Sequence, residues 1–220
     1  NIKICNSKSE PMDNLIIGDN VYLGHDSTIM VSSFSVMDYT KINNHFYAYG
    51  NNPLEIGYNC WFGSSVILDT LGGLKIDNNV GIGNQTQIYS HAKFGDTLYG
   101  CRINSFTPIS IAEDVWIAPN STITSASMSP KSMLLAGSVL VKPTQKNHIY
   151  SGVPAQDMTE KLGEQFNTNL NYKEMFNKLN QYLQDFYEAN PHFKSIDSIR
   201  IEGKKPKKVA NKYSYFVIKD

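Results

Sequence analysis

Residues 111–141 read IAEDVWIAPNSTITSASMSPKSMLLAGSVLV, and the spacing of apolar residues in this stretch decides the fold. Every sixth position is aliphatic with a single serine as the exception: Ile111, Ile117, Ile123, Ser129, Leu135 and Val141. A period of six fits neither the 3.6-residue repeat of an α-helix nor the alternation of an ordinary strand. It is typical of a parallel β-helix, in which each short strand turns a corner and places one large apolar side chain inside.

The same repeat occurs earlier in the chain. It starts at Ile17 and Leu23, blurs between residues 30 and 53, and slips by two residues near Gly72 and Gly73. Apolar residues mark the repeat on both sides of that slip: Ile56, Phe62, Leu68, Ile76, Ile82 and Ile88. Three hexads on three faces give about eighteen residues per coil, and each coil buries its apolar row only against the next. We expect irregular coils or an outward bulge over residues 30–53.

Residues 92–110 interrupt the repeat. They contain Gly95, Gly100 and Pro108 and carry no hexad, which predicts a loop that leaves the coil. Long loops inside a regular repeat are usually functional.

The composition changes after residues 152–155, GVPA, which suggests two parts: a β-helix domain over residues 1–160 and a C-terminal part over residues 161–220. Asn171 and Glu174 fit a helix N-cap and its third helical position, and the pair Asn190 and Pro191 ends the helix. We expect this helix to pack over the open end or the side of the β-helix; a docking helix for a partner is the alternative. Residues 198–202 and 213–218 are predicted to be short strands, and the basic stretch 203–208 to be a solvated turn.

The composition excludes several function classes. Twenty basic residues balance twenty acidic ones, so neither nucleic acid nor an anionic membrane surface is expected as a partner. No apolar run approaches the roughly 18 residues that span a bilayer, and the first thirty residues lack the pattern of a signal peptide. Three scattered cysteines without a CxxC motif favour reduced thiols and a cytoplasmic protein.

Three segments together resemble the hexapeptide-repeat acyltransferases. They are residues 82–91, IGNQTQIYSH; residues 111–120, IAEDVWIAPN; and the closing segments AGSV at 136–139 and GVPA at 152–155. The resemblance covers roughly residues 15–162 and is closest to the sugar O-acetyltransferases of the maltose and galactoside acetyltransferase type. It implies a left-handed parallel β-helix. With the helix and strands predicted near the C-terminus, the expected fold is all-β, with a helical C-terminal extension and short terminal strands.

The resemblance also implies the activity and the assembly. The expected reaction is acetyl-CoA-dependent acetylation of a sugar hydroxyl, on a surface polysaccharide or its precursor, without a metal. The exposed faces that carry Tyr58, Trp61 and Trp116 suit burial between subunits, because a thin prism has a poor ratio of core to surface. We therefore expect a homotrimer with active sites between subunits. The alternatives are N-acetylation of a nucleotide-linked amino sugar and a non-catalytic β-helix scaffold.

His91 is the candidate catalytic residue. Acyl transfer from a thioester to an alcohol needs a base for the hydroxyl proton and a donor for the tetrahedral oxyanion. His91 ends a hexad at the start of the predicted loop, where a substrate can reach it, and a neutral imidazole suits a base near neutral pH. The resemblance implies direct transfer with His91 as the general base.

The other four histidines are read as surface or structural residues: His25, His45, His148 and His192. They bear on a rival within the fold, the γ-type carbonic anhydrases, which bind zinc through three histidines. No two histidines of this chain show close metal-ligand spacing, so no metal site is predicted.

Candidate substrate contacts lie on the coils around His91. They are Asp69 in the coil below His91, the amides Asn84 and Gln85 one hexad before it, and the aromatic residues Tyr89 and Trp116. A solvated corner is the alternative for Asp69, and a packed aromatic is the alternative for Tyr89.

Candidate coenzyme A contacts lie on the later coils: Ala118, Ala136, Gly137, Lys142 and Pro154. The small residues would let the pantetheine arm approach the backbone, although tight corners need small residues in any case. Two positions depart from the family pattern. Gln156 stands where a basic residue often contacts phosphate, and Pro119 has no N–H, so an oxyanion contact must come from Ala118 or elsewhere.

Overall fold

Short parallel strands stack in register and wind into a β-solenoid of about seven turns. A computed structural model of the chain describes residues 1–167 and 172–189. Contacts divide the chain into two units, Asn1–Asn167 and Thr168–Asp220. The fold class is confirmed as the left-handed parallel β-helix with a helical C-terminal extension.

Three parallel sheets form the faces of the β-helix. Sheet 1 contains β1 (Ile2–Cys5), β4 (Ser27–Met30), β7 (Tyr47–Tyr49), β10 (Ile67–Asp69), β13 (Gln87–Tyr89), β18 (Thr122–Thr124) and β20 (Val139–Leu140). Sheet 2 contains β2 (Asn14–Ile17), β5 (Ser33–Val36), β8 (Leu54–Ile56), β11 (Leu74–Ile76) and β16 (Ile109–Ile111). Sheet 3 contains β3 (Tyr22–Leu23), β6 (Lys41–Ile42), β9 (Trp61–Phe62), β12 (Gly81–Ile82), β17 (Trp116–Ile117), β19 (Met133–Leu134), β21 (Ile149–Gly152) and the antiparallel β22 (Ala155–Asp157).

The core consists of columns of apolar side chains, each lying over its counterpart in the coil below. Sheet 1 contributes one such column of fully or almost fully buried residues: Ile29, Ala48, Leu68, Ile88, Ile123 and Leu140. Each larger side chain contributes roughly 1.5–3 kcal/mol by leaving water. Because the column is continuous, the stability of each coil depends on the coils next to it.

The coil is longer than the sequence pattern predicts. Ile76 pairs with Ile56, and Ile82 pairs with Phe62, so stacked residues are twenty positions apart rather than eighteen. Sheet 2 accounts for the two additional residues, because its strand buries two side chains, Leu74 and Ile76, directly after the predicted slip at Gly72 and Gly73.

Residues 30–53 form regular coils, so the expected irregular segment is wrong. Strands β5, β6 and β7 cross this region, and Val36, Ile42 and Ala48 are all fully buried at a spacing of six. The pattern was obscured because the small side chain of Ala48 fills one inward position, while Tyr47 and Tyr49 next to it point outward.

The repeat also changes phase after Ile123. Ile111 bridges to Met128, and Leu134 and Leu140 are the buried residues of the last coils. Leu135 is half-buried and Val141 is 45% exposed, so the inward positions predicted there are wrong by one residue. The reason is a shorter coil: Ile117 pairs with Leu134, seventeen residues later.

The first unit ends after a short helix, α1 (Thr159–Leu162). The second unit contains α2 (Tyr172–Ala189), which confirms the predicted helix. Its position against the β-helix stays a prediction. The predicted strands at 198–202 and 213–218, the basic turn and the cap residue Asn171 lie outside the described residues. Within residues 1–167 and 172–189, no helix is both long and apolar enough to cross a membrane.

Candidate active site

Two edges of the β-helix carry most of the predicted site residues. The His91 edge is the corner at which the chain leaves sheet 1 for sheet 2, and it follows β13. The Asn84 edge is the corner at which the chain enters sheet 1 from sheet 3, and it precedes β13. Residues 85 and 91 are separated by one strand with its corners, which spans about 20 Å at 3.3 Å per residue.

At the His91 edge, the imidazole of His91 binds a buried carboxylate from the coil below. Nδ1 of His91 lies 2.5 Å from Oδ2 of Asp69. The side chain of Asp69 is 0% exposed, whereas that of His91 is 24% exposed. The sequence places them together because Asp69 ends β10 and Tyr89, two residues before His91, ends the next strand of the same sheet.

Backbone donors complete the environment of Asp69. Its Oδ2 accepts the N–H groups of Ser90 and His91 at 2.9 and 3.0 Å, and its Oδ1 accepts the N–H of Leu71 at 2.8 Å. Both oxygens are therefore occupied and inaccessible. The expectation that Asp69 bonds an acceptor hydroxyl, or is a solvated corner, is contradicted by this burial. Asp69 orients His91 instead.

This arrangement fixes how His91 can act. A buried carboxylate that accepts a hydrogen bond at Nδ1 selects the tautomer in which Nδ1 carries the proton. Nε2, on the opposite side of the ring from Asp69, then has a free lone pair. A partly exposed imidazole with a free Nε2 and a carboxylate behind it is the arrangement that a general base requires.

The interrupting segment forms a hairpin beside His91. Strands β14 (His91–Lys93) and β15 (Asn104–Phe106) pair antiparallel, with His91 opposite Phe106. The ring of Phe106 stacks on the imidazole at a centroid distance of 5.9 Å and an interplanar angle of 20°. The predicted loop is thus an ordered hairpin at its base, and the chain rejoins sheet 2 at Ile109, two residues before the predicted restart at Ile111.

Two tyrosines flank the buried carboxylate on sheet 1. Tyr49 is in register with Asp69, and Tyr89 follows on the next strand. Burial, and then the negative charge of Asp69, raise the pKa of Tyr49 to about 12, so its phenol stays protonated. The hydroxyl of Tyr89 donates to Oε1 of Gln87 at 2.8 Å. The half-buried ring of Tyr89 therefore lies on the outer face of sheet 1, below the His91 edge.

The predicted amides lie on the other edge of the same chain. Oδ1 of Asn84 accepts the N–H of Ser64 at 2.9 Å, as Oδ1 of Asn44 accepts the N–H of His25 two coils lower. Gln85 is exposed and has a left-handed φ of 60°. Both residues form part of the corner. Within a single subunit they lie on the opposite edge from His91 and not next to it.

Most of the predicted coenzyme A contacts share the Asn84 edge. Ala118, Ala136 and Gly137 follow the sheet 3 strands of successive coils, and the N–H of Gly137 donates to Pro119 at 3.0 Å. Ala136 and Gly137 are exposed, and a Cβ on Gly137 would meet no atom within 4 Å. The N–H of Ala118 donates to Leu134 at 2.8 Å, so this amide is not free to hold an oxyanion.

The remaining candidates are spread over the later coils. Pro154 is exposed in the turn between β21 and β22, and the N–H of Gly152, the last residue of β21, donates to Oγ of Ser138 beside the Asn84 edge. Lys142 is exposed and follows β20, so it lies on the His91 edge. Trp116 lies on the outer face of sheet 3, where its ring stacks on Trp61 at 6.2 Å.

Sequence reasoning missed two features of this structure. Phe106 is the first, since nothing in residues 92–110 predicts that its ring covers His91. The second is the proximity of His25 and His45, whose rings are 5.3 Å apart. The signal for this pair is its spacing of twenty residues, which equals the length of one coil.

Solved structures with this fold include acyltransferases with coenzyme A bound. A hexapeptide-repeat acetyltransferase from Vibrio cholerae O1 biovar eltor, complexed with acetyl coenzyme A, is 18% identical over 71% of this chain and 73% of its own, with a TM-score of 0.51. A variant of AntD, an N-acyltransferase from Bacillus cereus in complex with dTDP and coenzyme A, is 16% identical over 79% and 92%, with a TM-score of 0.55. A second AntD variant, in complex with dTDP-4-amino-4,6-dideoxyglucose and coenzyme A, is 15% identical over 79% and 91%, with a TM-score of 0.51. These likenesses show the fold. No protein-family model matches the sequence, and no curated protein does.

Proposed function

We propose that this chain is an acetyl-CoA-dependent acetyltransferase that modifies a sugar hydroxyl, on a surface polysaccharide or its precursor, in the cytoplasm. The observation that carries the proposal is the partly exposed imidazole of His91 held by the buried carboxylate of Asp69. The three free cysteines are consistent with a reducing compartment.

The role of His91 follows from its contacts. A sugar hydroxyl stays protonated near neutral pH, so its attack on an acyl carbonyl requires a base. Nε2 of His91 takes that proton, and Asp69 stabilises the imidazolium that forms. The imidazolium then returns the proton to the leaving sulfur, so His91 ends the reaction neutral. Acetyl-CoA would supply the acetyl group, activated as a thioester.

A complete site requires two copies of the chain. His91 lies on one edge, whereas the small exposed residues Ala136 and Gly137 lie on the other, about 20 Å away along one strand. The residues there fit a pantetheine arm, because nothing within 4 Å of a Cβ at Gly137 blocks an approach to the backbone. A homotrimer places the His91 edge of one subunit against the Asn84 edge of the next, at three equivalent clefts.

The test is turnover with acetyl-CoA and a panel of sugar acceptors, with free thiol as the readout. We expect His91→Ala to lower kcat by a factor of about 10³ to 10⁴, because base catalysis is lost while the fold is retained. His148→Ala is the matched control, since His148 also binds an aspartate, at 2.6 Å, on a different part of the coil. Equal rates for the wild type and His91→Ala would end the proposal in favour of a non-catalytic scaffold.

N-acetylation of a nucleotide-linked amino sugar is the second candidate. It is favoured by the AntD structures, in which the same fold holds a dTDP-linked amino sugar with coenzyme A. A neutral amine attacks without prior deprotonation, so it depends less on a base than a hydroxyl does. Turnover of a dTDP-4-amino sugar and its 4-hydroxyl counterpart separates the candidates, and turnover of the amine alone contradicts O-acetylation.

A further inference from the structure

A second cluster of chemically active side chains lies on the first coils of the β-helix. It consists of His25, Asp26 and His45, all exposed, each offering a ligand atom within 4.8 Å of the others. Nδ1 of His25 is 2.8 Å from Oδ2 of Asp26, and the two imidazole rings meet edge to face. His45 precedes β7 by one corner, so the cluster lies on the Asn84 edge, two coils below Asn84.

We propose that His25, Asp26 and His45 bind a divalent transition-metal ion of the zinc type. Two imidazole nitrogens and one carboxylate oxygen are a common zinc ligand set, and they leave one position for water. Zinc–ligand bonds of about 2.0–2.2 Å need donor atoms roughly 3–4 Å apart, which these exposed side chains reach by rotation about their side-chain bonds.

The backbone holds the three ligands in fixed relative positions. The N–H of His45 donates to the carbonyl of His25 at 3.0 Å, and the N–H of His25 donates to Oδ1 of Asn44 at 3.1 Å. Asp26 and His45 both have the left-handed φ of a tight corner, at 54° and 59°. Because the coils are stacked by strand pairing, ligands from two coils converge without any cost of closing a loop.

The charge of the cluster also suits a cation. The carboxylate of Asp26 supplies a negative charge, and its Oδ2 lies 2.8 Å from Nδ1 of His25. A bound ion would replace the proton that His25 and Asp26 share in their hydrogen bond. Metal binding should therefore release protons.

The ion would clip the first coils together. Sheets 2 and 3 both end in this region, at β2 and β3, so the end coil is covered on one side only. Leu15, Ile16 and Ile17 of β2 are all nearly half-exposed there. A ligand that binds only the folded state stabilises it by mass action, and this site joins residues of two successive coils.

The experiment uses the full chain without a histidine tag, stripped of metal and titrated with Zn²⁺ by calorimetry. We expect one ion per chain, a higher Tm with Zn²⁺, and a Co²⁺ absorption band of tetrahedral coordination. His25→Ala and His45→Ala should each lower the affinity by at least about tenfold and remove the Tm shift, while the control His148→Ala keeps both.

Circular dichroism of each variant separates loss of the ligand from loss of the fold, and Asp26→Asn gives a milder third variant. The proposal is overturned if the wild type binds no Zn²⁺ at micromolar concentrations, or if either histidine variant that remains folded binds as tightly as the wild type. Turnover at His91 plays no part in these readouts, so the site stands or falls independently of the proposed activity.

Discussion

The carboxylate of Asp69 and the imidazole of His91 are twenty-two residues apart in sequence, yet they form a 2.5 Å hydrogen bond in which Asp69 has no exposed surface. Two successive sheet 1 strands place them there, with the carboxylate facing Nδ1. The buried carboxylate of Asp69 therefore determines that Nε2 is the nitrogen of His91 that can accept a proton.

Asp69→Asn is expected to lower kcat by about 10³-fold or more, because an amide no longer selects the tautomer with a free Nε2. The KM for acetyl-CoA should change little. In the His91→Ala background, Asp69→Asn should have no further effect on kcat, since the two residues act as a unit. Steady-state kinetics of the four proteins test this, and independent losses in the double variant would show that Asp69 has only a structural role.

Leu134 and Leu135 provide a matched test of the corrected register. Leu134 is 0% exposed in the column of sheet 3, and Leu135 is its half-buried neighbour. Leu134→Ala should lower the free energy of unfolding by about 2–5 kcal/mol through a cavity in the core. Leu135→Ala should cost about 1 kcal/mol or less. Thermal or urea unfolding measures both, and the reverse order would restore the uninterrupted period of six.

Alanine substitutions at Gly63 and Gly81 compare a clash with the backbone and a clash with a side chain. A Cβ on Gly63 would lie 2.4 Å from the backbone nitrogen of Asn84, whereas a Cβ on Gly81 would lie 2.2 Å from the ring of Trp116. The ring can move and the stacked coil cannot. Gly63→Ala should therefore destabilise the chain by about 1–3 kcal/mol or more. Gly81→Ala should cost about 0.5–1.5 kcal/mol, the contribution of the Trp61–Trp116 stack.

Unfolding and tryptophan fluorescence of the two variants check this contrast. The emission spectrum should change in Gly81→Ala, because the ring of Trp116 leaves its position over the glycine, and stay unchanged in Gly63→Ala below its melting temperature. Equal destabilisation with equal spectra would contradict the close packing of the coils at Gly63.

Asp157 should stabilise the fold above about pH 4 and lose this contribution in acid. Burial favours its neutral form, but hydrogen bonds from Thr159 and His148 outweigh burial and lower the pKa of Asp157 to about 2. A depressed folded-state pKa stabilises the fold above the unfolded value near 3.9, and this contribution is lost as the pH falls from about 4 to 2. The Tm difference between the wild type and Asp157→Asn should therefore be fully present near pH 5 and shrink below pH 4.

The effect in Asp157→Asn should be small, because the side chain of Asp157 is 35% exposed and the pair is partly screened by water. Asp77→Asn is the control, since that carboxylate has a similar exposure of 37% but lies 3.7 Å from a lysine, Lys75, rather than beside a histidine. A Tm difference that grows on acidification would reverse the sign and refute the assignment.

The sequence predicts the fold wherever inward positions carry large aliphatic residues. Ile111, Ile117 and Ile123 are all fully buried as predicted. Prediction fails where a small residue fills the inward position, as at Ala48, and where the coil shortens, as it does before Leu134. A fixed period assumes that every corner has the same length. When one corner is a residue shorter, every later inward position shifts by one residue.

The candidate site is only partly predictable for the same reason. The hexad pattern places His91 at a corner before an interruption, but its partner depends on the length of the coil. An eighteen-residue coil puts His91 over Gly73, whereas the observed coil of twenty brings it over residues 69–71. The proximity of His25 and His45, twenty residues apart, follows from that same length. The sequence places Asp69 in the coil below His91 without showing that the two side chains bind each other, and it does not bring His25 and His45 together.

Two inactive variants should restore activity to each other if the site is shared between subunits. His91→Ala removes the base from one edge, and Ala136→Trp fills the exposed approach on the other edge, so each variant alone should be inactive. In trimers assembled from equal amounts of both chains, an interface is intact when His91 comes from one variant and Ala136 from the other. Every mixed trimer contains one such interface of its three, so we expect about a third of the wild-type kcat from purified mixed trimers.

Co-expression with two different tags, tandem purification and native mass spectrometry identify the mixed trimers whose turnover is measured. The control is the two variants purified separately and mixed without unfolding, which should stay inactive because no subunits exchange. Mixed trimers that remain inactive would place base and cofactor within one chain. Such a site would have to bridge the roughly 20 Å between the two edges, and a cleft within one subunit would then replace the shared one.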